Sequence, residues 1–325
     1  MKRYFLLAVI SVLVGSMNAG AMPQPSFHTK GIQTNKMNGK LKPGEYWWTP
    51  HGSPSGPVVV LVDLDHQVMN VYRNGVLIGR SSVSTGTKGN STPTGVFTIL
   101  EKKVDHYSKK YDNAPMPHMQ RLTWSGIAMH SGNLPGYPAS HGCVRLPYDF
   151  SKHLFSVTTK GGTVIIDSHS AGNPNLAALV LAGSSQSLPA HGEYQWQPER
   201  STRGPVTVLL SRTDRAAYVY RNGVQVGRAQ VQFRGRVGDQ VFTMLEGKTG
   251  RESALAPGRP GHRWMTVTEN GSAREASLAD VGRRVSIPQD FAHKVYDVLS
   301  PGSTINVTDA PALSHASRDV TILED

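Results

Sequence analysis

Apolar positions in this chain fall in short runs separated by turn residues, not in long helical stripes. Pro57 to Leu64 is a β-branched run, Val68 to Tyr72 follows it, and Asn74-Gly75 separates that segment from Val76 to Ile78. Asn-Gly between two apolar runs is a strong hairpin signal, because both central turn positions take positive φ. Val96 to Leu100 and Thr163 to Asp167 read as further strands, while Tyr148 to Val157 carries helical spacing. Strands dominate and one helix packs on them, so the pattern predicts an antiparallel β-rich sandwich or barrel.

The pattern occurs twice. Gly44-Glu45-Tyr46 and Trp48 return as Gly192-Glu193-Tyr194 and Trp196, and Val71 to Val76 returns as Val219 to Val224, both at a shift of 148. Val96-Phe97-Thr98 matches Val241-Phe242-Thr243 at a shift of 145. Pro147, Asp149-Phe150 and Gly161 match Pro288, Asp290-Phe291 and Gly302 at a shift of 141. Matches in one order, with shifts that drift only by small indels, predict two tandem domains, 41–168 and 189–309, not a solenoid of short repeats. A flexible segment, 22–40, is expected before the first domain, a linker, 169–188, between the two, and a tail, 310–325, after the second.

The first residues carry a separate signal. Lys2 and Arg3 precede an apolar run from Tyr4 to Val14, and Ala19-Gly20-Ala21 closes it. A basic head, a short apolar middle and small residues at the end predict a secretory signal peptide over 1–21, hence export to the periplasm or cell wall without a stable membrane anchor. Exported proteins often carry disulfides, yet this chain has a single cysteine, Cys143. A lone thiol in an oxidising compartment calls for a chemical role. Formal net charge is +11, which favours an acidic partner. The cations form no basic runs with interleaved aromatics, so nucleic acid is excluded as the expected partner.

The candidate chemistry sits in Ile127-Ala128-Met129-His130-Ser131-Gly132 and Ser140-His141-Gly142-Cys143-Val144-Arg145-Leu146-Pro147. A thiol attacks as thiolate, and at its ordinary pKa only a few per cent is ionised at neutral pH. His130 and His141 are both near enough in sequence to serve as its base. Gly132 and Gly142 leave backbone amides bare for an oxyanion hole. His130, His141 and Cys143 are also competent zinc ligands, but no separate acidic base accompanies them, and no metal or organic cofactor is expected.

The run Ser-His-Gly-Cys-Val-Arg-Leu, with an upstream strand ending in His, resembles the catalytic signature of L,D-transpeptidases. Thr92-Pro93-Thr94-Gly95-Val96-Phe97 and Gly161-Gly162-Thr163-Val164 support the resemblance, which covers roughly Pro57 to Asp167. It implies that the fold is the family's β-rich domain and that peptidoglycan stem peptides are the substrate, with an outer-membrane or wall protein as one possible acceptor. It further implies Cys143 as nucleophile, His130 as base and the Ser131 carbonyl as its orienter. Gly142 and Cys143 then supply oxyanion amides, His141 lines the site or holds the loop, and Arg145 and Ser140 meet the substrate. By position, Lys102 to Gly126 resembles the family's variable loop over the site, and its histidines, His106 and His118, are expected in solvent.

The second copy has no cysteine. At the shift of 141, Gly142 and Cys143 fall on Arg283 and Arg284, and His130 falls near Glu269. This copy is therefore expected to be catalytically degenerate. Its two long cations replace a glycine-lined loop and could grip carboxylates.

Overall fold

The computed structural model describes residues 28–111, 113–168, 194–267, 273–276, 278–309 and Pro311, with 267 and 273–276 as backbone only. The expected signal peptide and linker lie outside the described residues, as does the expected tail apart from Pro311. The described residues are mainly β, with three α-helices: α1 (Tyr148–Val157), α2 (Ala279–Arg284) and α3 (Gln289–Val298). No helix among the described residues is long and apolar enough to cross a membrane.

In the first half, seven strands form one sheet in the order Ile32–Gln33, Glu45–Trp48, Val76–Ser82, Val68–Arg73, Val58–Asp63, Thr163–Asp167, Gly95–Thr98. Val68–Arg73 and Val76–Ser82 form the expected hairpin, with Asn74 at φ 48° and Gly75 at φ 83° in its turn. The sheet is mixed, not antiparallel as the pattern suggested. Thr163–Asp167 runs parallel to Val58–Asp63, because the chain returns to it through a second sheet and α1, a long crossover that only parallel pairing requires. The second sheet is short-stranded, in the order Val144–Leu146, Ala128–Ser131, Met119–Arg121, Glu101–Lys103.

The unbroken apolar run at Val58–Asp63 is explained by burial on both faces. Val60 and Val62 point into a core with Met69, Val71, Met129, Val144, Leu146, Phe150 and Leu154. Val59 and Leu61 face the other way and pack with Tyr72, Val96 and Ile165 against Val241, Leu245 and Met265 of the second half. The contact is pinned at its rim, where the Glu246 amide donates to Asn74 Oδ1 at 2.9 Å.

The second half has an eight-stranded sheet in the order Tyr194–Trp196, Val224–Gln230, Ala216–Arg221, Val206–Ser211, Thr304–Thr308, Gln240–Glu252, Pro260–Val267, Ala273–Ala276. Its first six strands follow the order of the repeat-matched strands in the first sheet. Register shifts fall at Val71/Tyr72 and at Val219/Tyr220. A close approach recurs as well. A Cβ on Gly79 would lie 2.3 Å from the Trp48 ring, and one on Gly227 would lie 2.6 Å from Trp196. Trp48 meets Phe150 of α1 edge-on at 5.6 Å, and Trp196 meets Phe291 of α3 edge-on at 5.9 Å.

Residues 28–34, in the stretch expected to be a flexible lead-in, are hydrogen-bonded into the first half. The Thr29 amide donates to Gly132 O at 3.0 Å, the Tyr148 amide donates to Thr29 O at 2.9 Å, and Ile32–Gln33 pairs in parallel with Glu45–Tyr46.

Candidate active site

The strand Ala128–Ser131 pairs in parallel with Val144–Leu146, with Met129 opposite Val144, His130 opposite Arg145 and Ser131 opposite Leu146. Paired residues point to the same side of a sheet, and faces alternate along each strand. Met129, Val144 and Leu146 point into the core, so His130 and Arg145 share the opposite face. Cys143, two residues before Arg145, is placed on that face too. One register thus brings together three of the sequence-predicted residues.

His130 is only 7% exposed. Its Nδ1 lies 2.7 Å from the Ser131 carbonyl oxygen. A carbonyl can only accept, so Nδ1 carries the proton and Nε2 presents a bare lone pair. Burial holds the imidazole down at about 4, with the Ser131 bond opposing the shift and the Arg145 charge reinforcing it. His130 is therefore neutral at physiological pH and free to accept a proton.

Cys143 is half-buried against a small apolar cluster of Met116, Met119 and Ala128. Burial pushes its thiol above the usual range, while the Ala128 amide and the Arg145 charge pull the other way. Its S–H points to the Gly126 carbonyl at 3.6 Å. Burial thus favours the neutral form of both groups, the thiol and the imidazole.

The loop before Cys143 is held from inside. Gly142 has φ 105°, a backbone angle that favours glycine, and a Cβ there would lie 2.7 Å from Ile127 Cδ1, which would have to shift. Thr92 Oγ1 donates to Gly142 O at 2.9 Å and accepts from the Gly86 amide at 2.8 Å. Ser140 Oγ accepts from the Gly142 amide at 3.1 Å and donates to Cys143 O at 2.6 Å.

Two expectations change here. Ser140, expected to meet substrate, is 1% exposed with its hydroxyl spent inside the loop, so it braces the backbone instead. The Gly142 amide, expected as an oxyanion donor, is already bonded to Ser140. The Cys143 amide has no acceptor among the described residues and remains available.

His141 lies outside this face, exposed and stacked on Tyr111 at 4.6 Å. Arg145 is half-buried, its stem lying over Gly132, where a Cβ would come within 2.9 Å of it. Its guanidinium has no hydrogen-bond or ion-pair partner among the described residues, and burial pulls its pKa down. An unpartnered, partly desolvated cation near Cys143 suits a carboxylate ligand.

Sequence reasoning missed the support behind the site. His118 was expected in solvent but is 7% exposed, with Nδ1 2.9 Å from Ser151 Oγ of α1 and its ring against Tyr148 and Phe155. Met116 and Met119 flank it in sequence and were the available hint that this stretch turns inward. His28 also sits beside the site, its ring 6.1 Å from Tyr148, and burial lowers its pKa. Among the described residues no group of three or more potential metal ligands gathers.

Residues 57–166 match the family model of the L,D-transpeptidase catalytic domain, YkuD. This segment is similar to L,D-transpeptidase catalytic domains. No curated protein matches the chain. Among solved structures, the chain is similar to an L,D-transpeptidase from Stackebrandtia nassauensis, at 32% identity over 38% of this chain and 59% of that one, with a TM-score of 0.32. An L,D-transpeptidase from Xylanimonas cellulosilytica is 26% identical over 35% of this chain and 61% of that one, with a TM-score of 0.32. One from Mycobacterium smegmatis is 22% identical over 35% of this chain and 59% of that one, also with a TM-score of 0.32. The matched region spans about three fifths of the length of these structures.

Proposed function

We propose that the chain is an exported acyltransferase that acts on peptidoglycan stem peptides through Cys143. The observation that supports the reading is the His130–Arg145 register, which sets His130 beside an unpartnered cation two residues after Cys143. Cys143 Sγ attacks the carbonyl of the third stem residue while its proton passes to His130 Nε2. The Cys143 amide donates to the developing oxyanion. The protonated His130 then gives its proton to the departing amine of the terminal D-residue, leaving a thioester. An acceptor amine attacks that thioester, His130 takes its proton and the thiol is restored. Arg145 holds a carboxylate of the donor stem.

The product is a 3→3 cross-link, a protein–peptidoglycan bond or an exchanged D-amino acid, according to which amine enters. Water in its place gives carboxypeptidase activity or cleavage of a protein–peptidoglycan link. Export to the periplasm or cell wall rests on residues 1–21.

The second half is, on this reading, a degenerate copy of the first. The shared order of six strands, the matched register shifts and the recurring Trp–Gly–Phe contact support it. Its counterpart of Ser84↔Arg145 is Gln232↔Ser286, which sets Arg284 at the Cys143 position. The expected His130 counterpart, Glu269, lies outside the described residues.

The test is incubation of the purified protein with disaccharide-tetrapeptide and analysis of the products by mass spectrometry. A dimer, or exchange of the terminal residue when a D-amino acid is added, is the expected result. Tripeptide alone would replace transfer with hydrolysis, and unchanged substrate would overturn the enzymatic reading.

A further inference from the structure

We propose that the second half carries an anion site, formed by Arg234, Arg236 and Arg284 with Arg283 at its rim, which binds the carboxylates of peptidoglycan stem peptides. The choice of ligand rests on the transpeptidase reading above; the site itself rests on the following geometry.

Gln232–Phe233 pairs antiparallel with Val285–Ser286, and this small ladder fixes two loops side by side. The Arg234 amide donates to Arg284 O at 2.7 Å, extending the pairing by one bond. Arg284 Nη1 then donates to Arg236 O at 2.8 Å, which lays its guanidinium against the 234–236 turn. Through the matched pairs Ser84↔Arg145 and Gln232↔Ser286, this edge corresponds to the nucleophile loop of the first half. Arg283 and Arg284 replace Gly142 and Cys143, while Arg234 and Arg236 replace Gly86 and Lys88.

The local charges do not cancel. Arg283 is paired with Asp280. Asp309 takes both Arg212 at 2.7 Å and Arg236 at 3.3 Å, so one carboxylate serves two guanidiniums. Arg284 spends one N–H on a neutral carbonyl, and the Arg234 side chain has no partner among the described residues. All four arginines are exposed, with the Arg236 side chain at 86%. Several N–H forks therefore face water from one edge, and a guanidinium fork matches a carboxylate with two parallel hydrogen bonds. A chain with many stem carboxylates can engage several forks at once. Holding it there raises the local concentration of neighbouring stems at the catalytic half without any change in the catalytic face.

The experiment uses the full chain carrying Cys143→Ala, which cannot turn substrate over, and purified sacculi stripped of phosphate polymers. Retention on sacculi is measured against salt for this protein and for the same protein with Arg234→Glu or with Arg236→Ala/Arg284→Ala. Retention should weaken as salt rises, and each added substitution should lower the apparent affinity about fivefold or more. Arg234→Glu keeps the thermal midpoint, since its side chain holds nothing in place, so its loss of binding is not a folding defect. Free tetrapeptide should compete.

Equal retention by all three proteins at low salt would overturn the site. Competition by polyphosphate alone would reassign it to a phosphate polymer and overturn the carboxylate proposal. Absent turnover by the unsubstituted protein would count against the transpeptidase reading only, because the retention measurement needs no catalysis.

Discussion

The two halves share a scaffold and differ in what interrupts it. In the first, the strand Gly95–Thr98 ends and the chain opens a second sheet that carries His130 and flanks Cys143. In the second, the matching strand runs on as Gln240–Glu252 and folds back with Pro260–Val267 in the same sheet, with register shifts on either side of Lys248. After this excursion α1 or α3 returns to the matching place and presents Phe150 to Trp48 or Phe291 to Trp196. Packing is thus specified by strand faces, a glycine under a tryptophan and one helix. The candidate chemistry sits on a short-stranded sheet found in the first half, whose other face supplies Met129, Val144 and Leu146 to that core.

The sharpest way to break the comparison is at the matched positions Cys143 and Arg284. Cys143→Ala should abolish turnover and the thioester mass adduct while moving the thermal midpoint little, because a half-buried thiol contributes little packing. Measured turnover in that variant would end the assignment of the nucleophile.

Next in size is His130→Ala, which should lower the rate by about 10²–10⁴, the loss expected for a positioned base. Its effect should not add to that of Cys143→Ala, since both serve one step.

A third comparison uses pH. The folded His130 sits at about 4 against an ordinary 6.5, so below 6.5 the unfolded chain binds a proton that the folded chain refuses. Stability should therefore fall as pH drops from about 6.5 towards 4, by up to about 3 kcal/mol, and then level off. His130→Gln should flatten that part of a denaturant-midpoint curve. An unchanged curve would mean that His130 is not buried as a neutral ring. His262 in the second half is lowered in the same direction but only half-buried, so its share is smaller.

Smallest is the pair Gly79→Ala and Gly227→Ala. Each methyl group meets a tryptophan ring, so each should destabilise by about 1–3 kcal/mol, as overpacking does. The two losses should be similar, and a large imbalance in thermal midpoint would separate halves that the backbone makes alike.

The scaffold was legible because its signals are local. The β-branched runs, Asn74-Gly75 and the helical spacing of Tyr148–Val157 each announce an element from adjacent residues, and the observed α1 has those bounds. The strand at Val58–Asp63 was legible as a β-branched run, although not the burial of both its faces or what covers the second. Cys143 and His130 stood out as candidates from their motif. Their shared face became visible only with the pairing of Ala128–Ser131 to Val144–Leu146.

Other features depend on partners distant in sequence. His118 is inward because Ser151, 33 residues later, offers a hydroxyl. Thr92 was noticed only as part of a matching stretch, yet its hydroxyl ties Gly142 to Gly86. The strands Glu101–Lys103 and Met119–Arg121 are three residues each, too short to set a period.

The apolar contact between the sheets, made by Val59, Leu61, Tyr72, Val96 and Ile165 against Val241, Leu245 and Met265, has a consequence for truncation. Cutting the chain after the catalytic half would leave a β-branched sheet face bare to water, the kind of surface on which chains aggregate. The second half therefore has a structural role in covering that face, whatever else it does.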